Sequence, residues 1–400
     1  MEYKKLEEVC SIITDGTHQT PIYSSDGYIF LSSKNVTSGK IDWDNVKYIN
    51  EELHNELSKR LKPQRNDILL AKNGTTGIGA LVDRDINFDI YVSLALLRPI
   101  KEIYPPYLLY MMNSPNTKQQ FDRNLKGIGV QNLHLKEIKN VQIPVMPIEM
   151  QEKIVKVLDK AQELIDKRKM QIEDLDRLVK SQFIEMFGDP INNPMGWEVK
   201  KLKNISTKIL SGNTPKGGSE VYVDDGIMFF RSQNVWKNKL VLDDIAYIDK
   251  ETHKKMLKSS LKHRDILMTK TGRINTENSS LGRASMYLGE DDGANINGHV
   301  YLIRLKEEIL NEFILFILTS KEYRGYIRSV CVGGIDKRQL NKEHIEEFPI
   351  IFPPIEKQKK FVSYVKQVDK LKFETQKSLE EMENNFNSLM QRAFKGELFN

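Results

Sequence analysis

Short apolar runs bounded by turn residues occur at "YIFL" (28–31), "DILLAK" (67–72) and "IYVSLALL" (90–97). They recur at "IMFF" (227–230), "DILMTK" (265–270) and "HVYLIRL" (299–305). Their length and β-branched content predict strands. Helical periodicity runs through "PPYLLYMMNSPNTKQQFDRNL" (105–125) and "NEFILFILTSKEYRGYIRSV" (311–330). A sharper pattern follows each group. Ile154, Leu158, Ala161, Ile165, Ile172, Leu175 and Val179 step by four and three, with Arg168 at one such position. Phe361, Val365, Val368, Leu379, Met382, Phe386 and Leu389 take the same steps 207 residues later, with Lys372 and Thr375 between them. A 3.5-residue repeat keeps one stripe facing a partner helix, so both stretches predict a coiled-coil seam. The simpler pairing is of the two arms with each other, antiparallel. Binding of other chains is the alternative.

The recurrence extends over the whole chain. "SIITDGTHQTP" near the start answers "TKILSGNTP" at 207–215, and "FLSSKNV" at 30–36 answers "FFRSQNV" at 229–235. "VKYINEELH" at 46–54 answers "IAYIDKETH" at 245–253, and "RNDILLAKNG" at 65–74 answers "HRDILMTKTG" at 263–272. "PIEMQEKIV" at 147–155 answers "PIEKQKKFV" at 354–362. The matches keep their order, with an offset that moves only from 194 to 207, so the chain is a duplication. The expected architecture is α+β, with two tandem globular domains each followed by a long helix. The divisions fall at 1–146 for the first globular domain, 147–187 for its arm and 188–200 for a linker. They continue with 201–352 for the second domain and 353–400 for the second arm and tail. Pro144, Pro147, Pro349, Pro353 and Pro354 should keep the arms from running back into the globular parts. "FGDPINNPMGWEVKKL" reads as a turn-rich linker.

Composition narrows the class. Four hundred residues, 40% hydrophobic and 29% charged, are those of an ordinary soluble protein of two domains or more. The start "MEYKKLEEVC" lacks the apolar core of a secretion signal, and "FILFIL" at 313–318 is too short to span a bilayer. Cys10 and Cys331 fall at unrelated places, so reduced thiols and a cytoplasmic location are expected. The net charge of +5 permits a nucleic-acid partner without demanding one.

These features together resemble the DNA-specificity subunit of type I restriction–modification systems. "DILLAKNGTTG" resembles the D-I-L-x-x-x-x-G stretch of its target-recognition domains, and "AFKGEL" at 393–398 resembles its usual ending. The likeness covers nearly all the chain, in the order recognition domain, helix, recognition domain, helix. One departure is "TGRINTENSSLG", which interrupts in the second half the G-x-x-G spacing kept by Gly74 and Gly77 in the first. The resemblance implies a non-catalytic reader of a bipartite, asymmetric double-stranded DNA target. It also implies two methyltransferase subunits as partners, with restriction subunits in the full complex, and no cofactor. The alternatives are the recognition fragment of a fused modification–restriction enzyme, and a coiled-coil assembly protein that binds no DNA.

Catalytic readings find little support. "YPPYLL" at 104–109 resembles the Asn/Asp-Pro-Pro-Tyr segment of amino-methyltransferases. It has Tyr104 where the acid or amide would stand, and no Gly-rich turn lies upstream. Glu137–Lys139 has a nuclease-like E-x-K without a partnering Asp. His18, His54, His134, His253, His263, His299 and His344 show no metal-ligand spacing, and no G-x-x-x-x-G-K-[ST] occurs.

Sequence is read by Arg, Lys, Asn and Gln at base edges, which makes polar loops beside the strands the candidates. In the first half these are Gln19, Lys34, Asn35, Lys72, Asn73, Thr75, Thr76, Gln131, Asn132 and His134. In the second they are Lys216, Arg231, Gln233, Asn234, Lys270, Arg273, Lys337 and Arg338. Gly127, Gly129, Gly333 and Gly334 are expected to set backbone geometry, and Asp67 and Asp265 to serve as turn residues.

Overall fold

The structure is a computed structural model that describes residues 2–36, 39–74, 76–124, 132–274, 276, 278–334 and 336–399. The chain divides into two compact units, Met1–Ile172 with Glu374–Asn400, and Glu173–Phe373. The division passes through both long helices, Ile148–Phe187 and Ile355–Lys395, so each helix contributes to both units.

In the first unit, an antiparallel sheet runs in the order Cys10–Asp15, Leu94–Pro99, Ile68–Ala71, Gly79–Leu81. Ile68, Leu69, Leu70 and Ala71 are all completely buried. The period of two explains how. Ile68 and Leu70 point into a cluster with Tyr107, Leu108, Met111, Ile154 and Leu158, whereas Leu69 and Ala71 point into one with Leu31, Val36, Phe88 and Ile90. The sheet is therefore a middle layer between helices and a second sheet, Lys47–Ile49, Tyr28–Leu31, Phe88–Ile90. That covering of both faces accounts for the unbroken apolar character of "DILLAK" and "IYVSLALL".

The second unit repeats the plan. Its sheet runs Ser206–Ser211, Val300–Leu305, Ile266–Thr269, Ala284–Met286, and a further sheet contains Ile227–Phe230 between Ala246–Ile248 and Ala294–Ile296. Ile266 and Met268 face the helices, and Leu267 faces the other sheet. In each unit a two-stranded ribbon, Glu2–Lys5 with Gln142–Val145 or Val199–Lys201 with Pro349–Ile351, precedes the long helix.

Several repeated phrases have a mechanical meaning. Asp67 accepts the Gln64 N–H and binds the Arg98 guanidinium through both oxygens, at 2.8 and 2.7 Å. Asp265 does the same with Lys262 N–H and Arg304, at 2.9 and 2.7 Å. Both aspartates are turn residues, as expected, and each also closes a charge-assisted fork onto the neighbouring strand. Gly16 and Gly212 sit where a Cβ would fall 1.9 Å from Ile90 O and 2.0 Å from Ile296 O, so no other residue fits. The glutamine of "PIE-x-Q" ties each long helix to the chain before it. Buried Gln151 donates to Met146 O and Glu102 O and accepts the Tyr104 N–H, and buried Gln358 donates to Pro353 O at 2.7 Å.

The stretch 105–125, read as continuously helical, is two helices, Pro105–Met112 and Pro115–Asn124. Ser114 Oγ takes the Thr117 N–H and proline stands first in the new helix, which restarts the turn. The stretch 311–330 likewise breaks at Ser320, whose hydroxyl takes the Tyr323 N–H.

The long helices pack together antiparallel. In the second unit Asp176 meets Lys372 at 2.5 Å, and the Phe183 and Phe361 rings lie 5.3 Å apart, so rising numbers on one helix face falling numbers on the other. In the first unit Lys169 meets Glu383 at 2.8 Å. Of the residues expected at the seam, Ile154, Leu158, Ile165, Val179, Phe361 and Val368 are buried, and Ile172, Leu175, Val365, Leu379, Met382 and Phe386 are partly buried. Gly396, at φ 72°, ends the second helix, and Glu397 N–H returns to Arg392 O to cap it. No helix among the described residues is long and apolar enough to cross a membrane.

Burial predicts unequal responses along the first long helix. Leu158→Asp places a carboxylate where the side chain is fully buried and should cost several kcal/mol, whereas Met170→Asp, at a site 58% exposed, should cost under about 0.5 kcal/mol. Urea unfolding of the two variants checks this.

Candidate nucleic-acid interface

The loops that follow the central strands carry most of the candidate residues, and the sheet register places them. After Ala71 the chain passes Lys72, whose carbonyl accepts the Leu133 N–H at 3.0 Å, and Asn73, which bridges to Asn132. After Thr269 it passes Lys270, whose carbonyl accepts the Leu340 N–H at 2.9 Å. The next residues, Thr271–Gly272, pair with Arg338–Gln339. Segments some 60 residues apart in sequence in the first unit, and some 70 in the second, thus meet beside the same strand end.

In the first unit these segments enclose a cleft of about 370 Å³ lined by Asp15, His18, Lys72, Asn73, Val92, Asn132, His134 and Leu135. Lys72 and Asp15 form its floor as a buried ion pair, Nζ to Oδ2 2.7 Å, with His18 3.4 Å from the other carboxylate oxygen. Burial works to raise the Asp15 pKa, but the Lys72 hydrogen bond and charge, with His18 behind them, hold it below the usual carboxylate value. Asn132 and His134 are exposed at the rim. Asn73 is half-buried, and its Oδ1 is buried without a hydrogen-bond partner among the described residues.

The structure separates framework from surface among the candidates. Asn35 and Asn234 are buried and make matching bonds. Asn35 Oδ1 accepts Ser32 N–H while its amide donates to Asn45 O; Asn234 Oδ1 accepts Arg231 N–H while its amide donates to Val241 O and Asp244 O. Both ends of each amide are already bonded, so these two asparagines hold the framework of their loops. Lys72 is likewise engaged, its ammonium held by Asp15.

Gln19, Lys34, Asn132 and His134 in the first unit are exposed, as are Lys216, Gln233, Arg273 and Lys337 in the second. Gln233 is held by Asp244 at 2.7 Å, and Arg231 pairs with the same carboxylate at 3.1 Å. The Gln233 amide and the Arg231 guanidinium keep the Asp244 carboxyl below its usual range. Thr76, Lys270 and Arg338 are half-buried; Lys270 lies over the Tyr301 ring, and Arg338 donates to Cys331 O at 3.2 Å. Thr75 and Gln131 lie outside the described residues, as do Gly127 and Gly129. Gly333, at φ 116°, has Lys337 O 2.5 Å from where a Cβ would stand, in keeping with a backbone role.

Sequence reasoning missed His18, although it stands inside the repeated Gly-Thr segment. It also missed Trp236 and Arg283, whose side chains stack with the guanidinium carbon 3.7 Å from the ring centroid. Among the described residues, no group of three or more His, Cys, Asp or Glu side chains could hold a metal ion.

Comparison with known proteins places the chain. The family model described as type I restriction modification DNA specificity domain matches it twice, over residues 1–175 and 194–384. A putative type I restriction enzyme MjaX specificity subunit of Methanocaldococcus jannaschii is 24% identical, with 99% of this chain and 93% of that protein covered. The type I restriction enzyme EcoBI specificity subunit of Escherichia coli is 30% identical over 33% of this chain and 28% of its own length. A solved structure described as showing complex assembly and conformational transition of the type I R-M system shares the fold. It has a TM-score of 0.64 and 18% identity over 99% of this chain and 98% of that one.

The buried pair predicts a pH-dependent penalty. Asp15→Asn strands the Lys72 ammonium and should cost about 3 kcal/mol near neutral pH. Because the folded Asp15 pKa is depressed, the wild-type advantage is complete above the unfolded carboxylate value and is lost as pH falls through the folded one. Thermal melts of both proteins across pH 2.5–7, a range set by ordinary carboxylate pKa values of about 4, should therefore converge at the acid end.

Proposed function

The chain belongs to the family of type I restriction modification DNA specificity domains, and from that membership we propose that it reads a bipartite double-stranded DNA target, one half-site per unit. The observation that carries this reading is the double match, each copy falling on a unit with polar loops at the same end of the same sheet. The chain itself is non-catalytic. It serves methyltransferase subunits, and restriction subunits in a full complex, by bringing them to a chosen sequence in the cytoplasm.

The exposed loop residues Gln19, Lys34, Asn132 and His134 serve the first half-site, with Asn73 and Thr76 at its edge. Lys216, Gln233, Arg273 and Lys337 serve the second, with Arg231, Lys270 and Arg338 behind them. Thr75 and Gln131 belong to the first set by their position in the sequence. Asparagine and glutamine suit adenine edges and arginine suits guanine edges, while lysines set register on phosphate. The units divide readout between them because each carries its own loops on its own sheet.

The test uses the full chain co-expressed with its methyltransferase partner and duplexes randomised in one half-site at a time. Asn132→Ala with His134→Ala should weaken discrimination in one half-site by about 1–3 kcal/mol per contacted base pair and leave the other half-site's preference unchanged. Equal relaxation of both half-sites would remove the one-unit, one-half-site assignment, and absence of salt-dependent binding by the wild type would remove DNA reading altogether.

A further inference from the structure

The second unit's strand-end loop differs from the first in one definable way. In the first unit Gly77, at φ 86°, donates its N–H to Ala71 O and faces the Phe121 ring. In the second, Gly282, at φ 67°, donates to Thr269 O and faces the Ile327 side chain. The two glycines are therefore structural counterparts. Gly74 and Gly77 are three positions apart and Gly272 and Gly282 ten, so the second loop is seven residues longer before its matching downstream glycine. The departure from G-x-x-G is a longer loop that returns to the same downstream glycine anchor.

That base is closed tightly. Ser280 Oγ donates to Thr271 O at 2.7 Å, Thr269 Oγ1 donates to Ser280 O, and a Cβ on Gly272 would lie 2.3 Å from Leu281 N. Arg283 spans the far side. Its Nε donates to Ser279 O at 3.0 Å, its Nη2 donates to Asn278 O, and its guanidinium lies on Trp236. Trp236 is itself 42% exposed, with Nε1 fixed to Gln233 O at 2.9 Å. Arg273 is the first residue past the neck. It is exposed, and among the described residues it is the one arginine of the second unit with no hydrogen bond, ion pair or ring contact. Arg231, Arg304 and Arg338 are held by Asp244, Asp265 and Cys331 O.

We propose that Arg273 is a specificity-determining residue that reads one guanine in the half-site of the second unit, and that Trp236 and Arg283 are positioning residues that brace its loop. The inference rests on the DNA-reading function proposed above. A guanidinium with all its donors unspent matches the O6 and N7 acceptors of guanine in the major groove. The closed neck holds the backbone at Arg273 in place, so binding has chiefly its side chain left to order.

The experiment again takes the full chain with its methyltransferase partner and selects from duplexes randomised across both half-sites. Arg273→Ala should abolish a guanine preference at a single base pair of one half-site, a change of ten- to a hundredfold, with all other positions unchanged. Arg273→Lys should retain part of it. Trp236→Ala should weaken the same base pair, and Trp236→Phe should restore it by supplying a ring for Arg283. Uniform loss across all sequences, with the salt slope reduced by about one, would make Arg273 a phosphate contact and overturn the proposal. A preference lost for any other base would overturn it equally. An effect of Arg273→Ala without one from Trp236→Ala would overturn the bracing role. Wild-type protein that selects no sequence would instead sink the parent function.

Discussion

Each unit depends on a four-residue strand that water reaches from neither face. Ile68–Ala71 and Ile266–Thr269 are fully buried, so both faces of each strand must be covered by other parts of the chain. One face takes the helical layer and the start or end of a long helix; the other takes the second sheet. Complete burial of such leucine and isoleucine side chains is worth about 1.5–3 kcal/mol each, more than the turns around them can contribute. The loops that leave these strands are thus anchored at their most stable point. Surface variation in the loops leaves the anchoring intact.

That arrangement explains what the sequence disclosed and what it withheld. The central strands and the two long helices were legible because apolar burial imposes a period, and a period survives in one sequence. The duplication was legible because Gly16 and Gly212, Asp67 and Asp265, and Gln151 and Gln358 meet geometric demands that admit few replacements. The candidate site was only partly legible. An asparagine that bonds its own loop and one that faces solvent have the same letter, and only coordinates separate Asn35 from Asn132. The Lys72–Asp15 pair was hidden because its members lie 57 residues apart, beyond any local pattern. The stacked pair Trp236 and Arg283 left no signal at all, since their contact belongs to the second unit alone.

Comparison of the units shows where divergence was allowed. His54 binds Asp89 at 2.6 Å beneath the ring of Tyr28, where His253 has Asn295 at 3.4 Å. Burial raises the Asp89 carboxyl above its ordinary pKa although His54 pulls it down. The second unit fills the corresponding place with an uncharged amide and avoids that opposition. Asp15 has Ser211 as its counterpart, one place before the tightly packed Gly212, and Lys270 lies over Tyr301 without a carboxylate. The shared framework is hydrogen-bonded backbone with the Asp67–Arg98 and Asp265–Arg304 forks; the His54–Asp89 and Lys72–Asp15 pairs are local to the first unit.

The matching glycine at the downstream end of each loop bears on how such a protein changes over generations. Gly77 and Gly282 hold the downstream end in the same backbone state whatever lies between it and the strand. Lengthening the span from three to ten residues adds only about 1 kcal/mol of closure entropy, and the strand beneath is undisturbed. An in-frame insertion or deletion at this point is therefore nearly silent for folding yet alters which chemical groups are displayed. Change confined to this one short stretch needs no compensating change elsewhere in the chain.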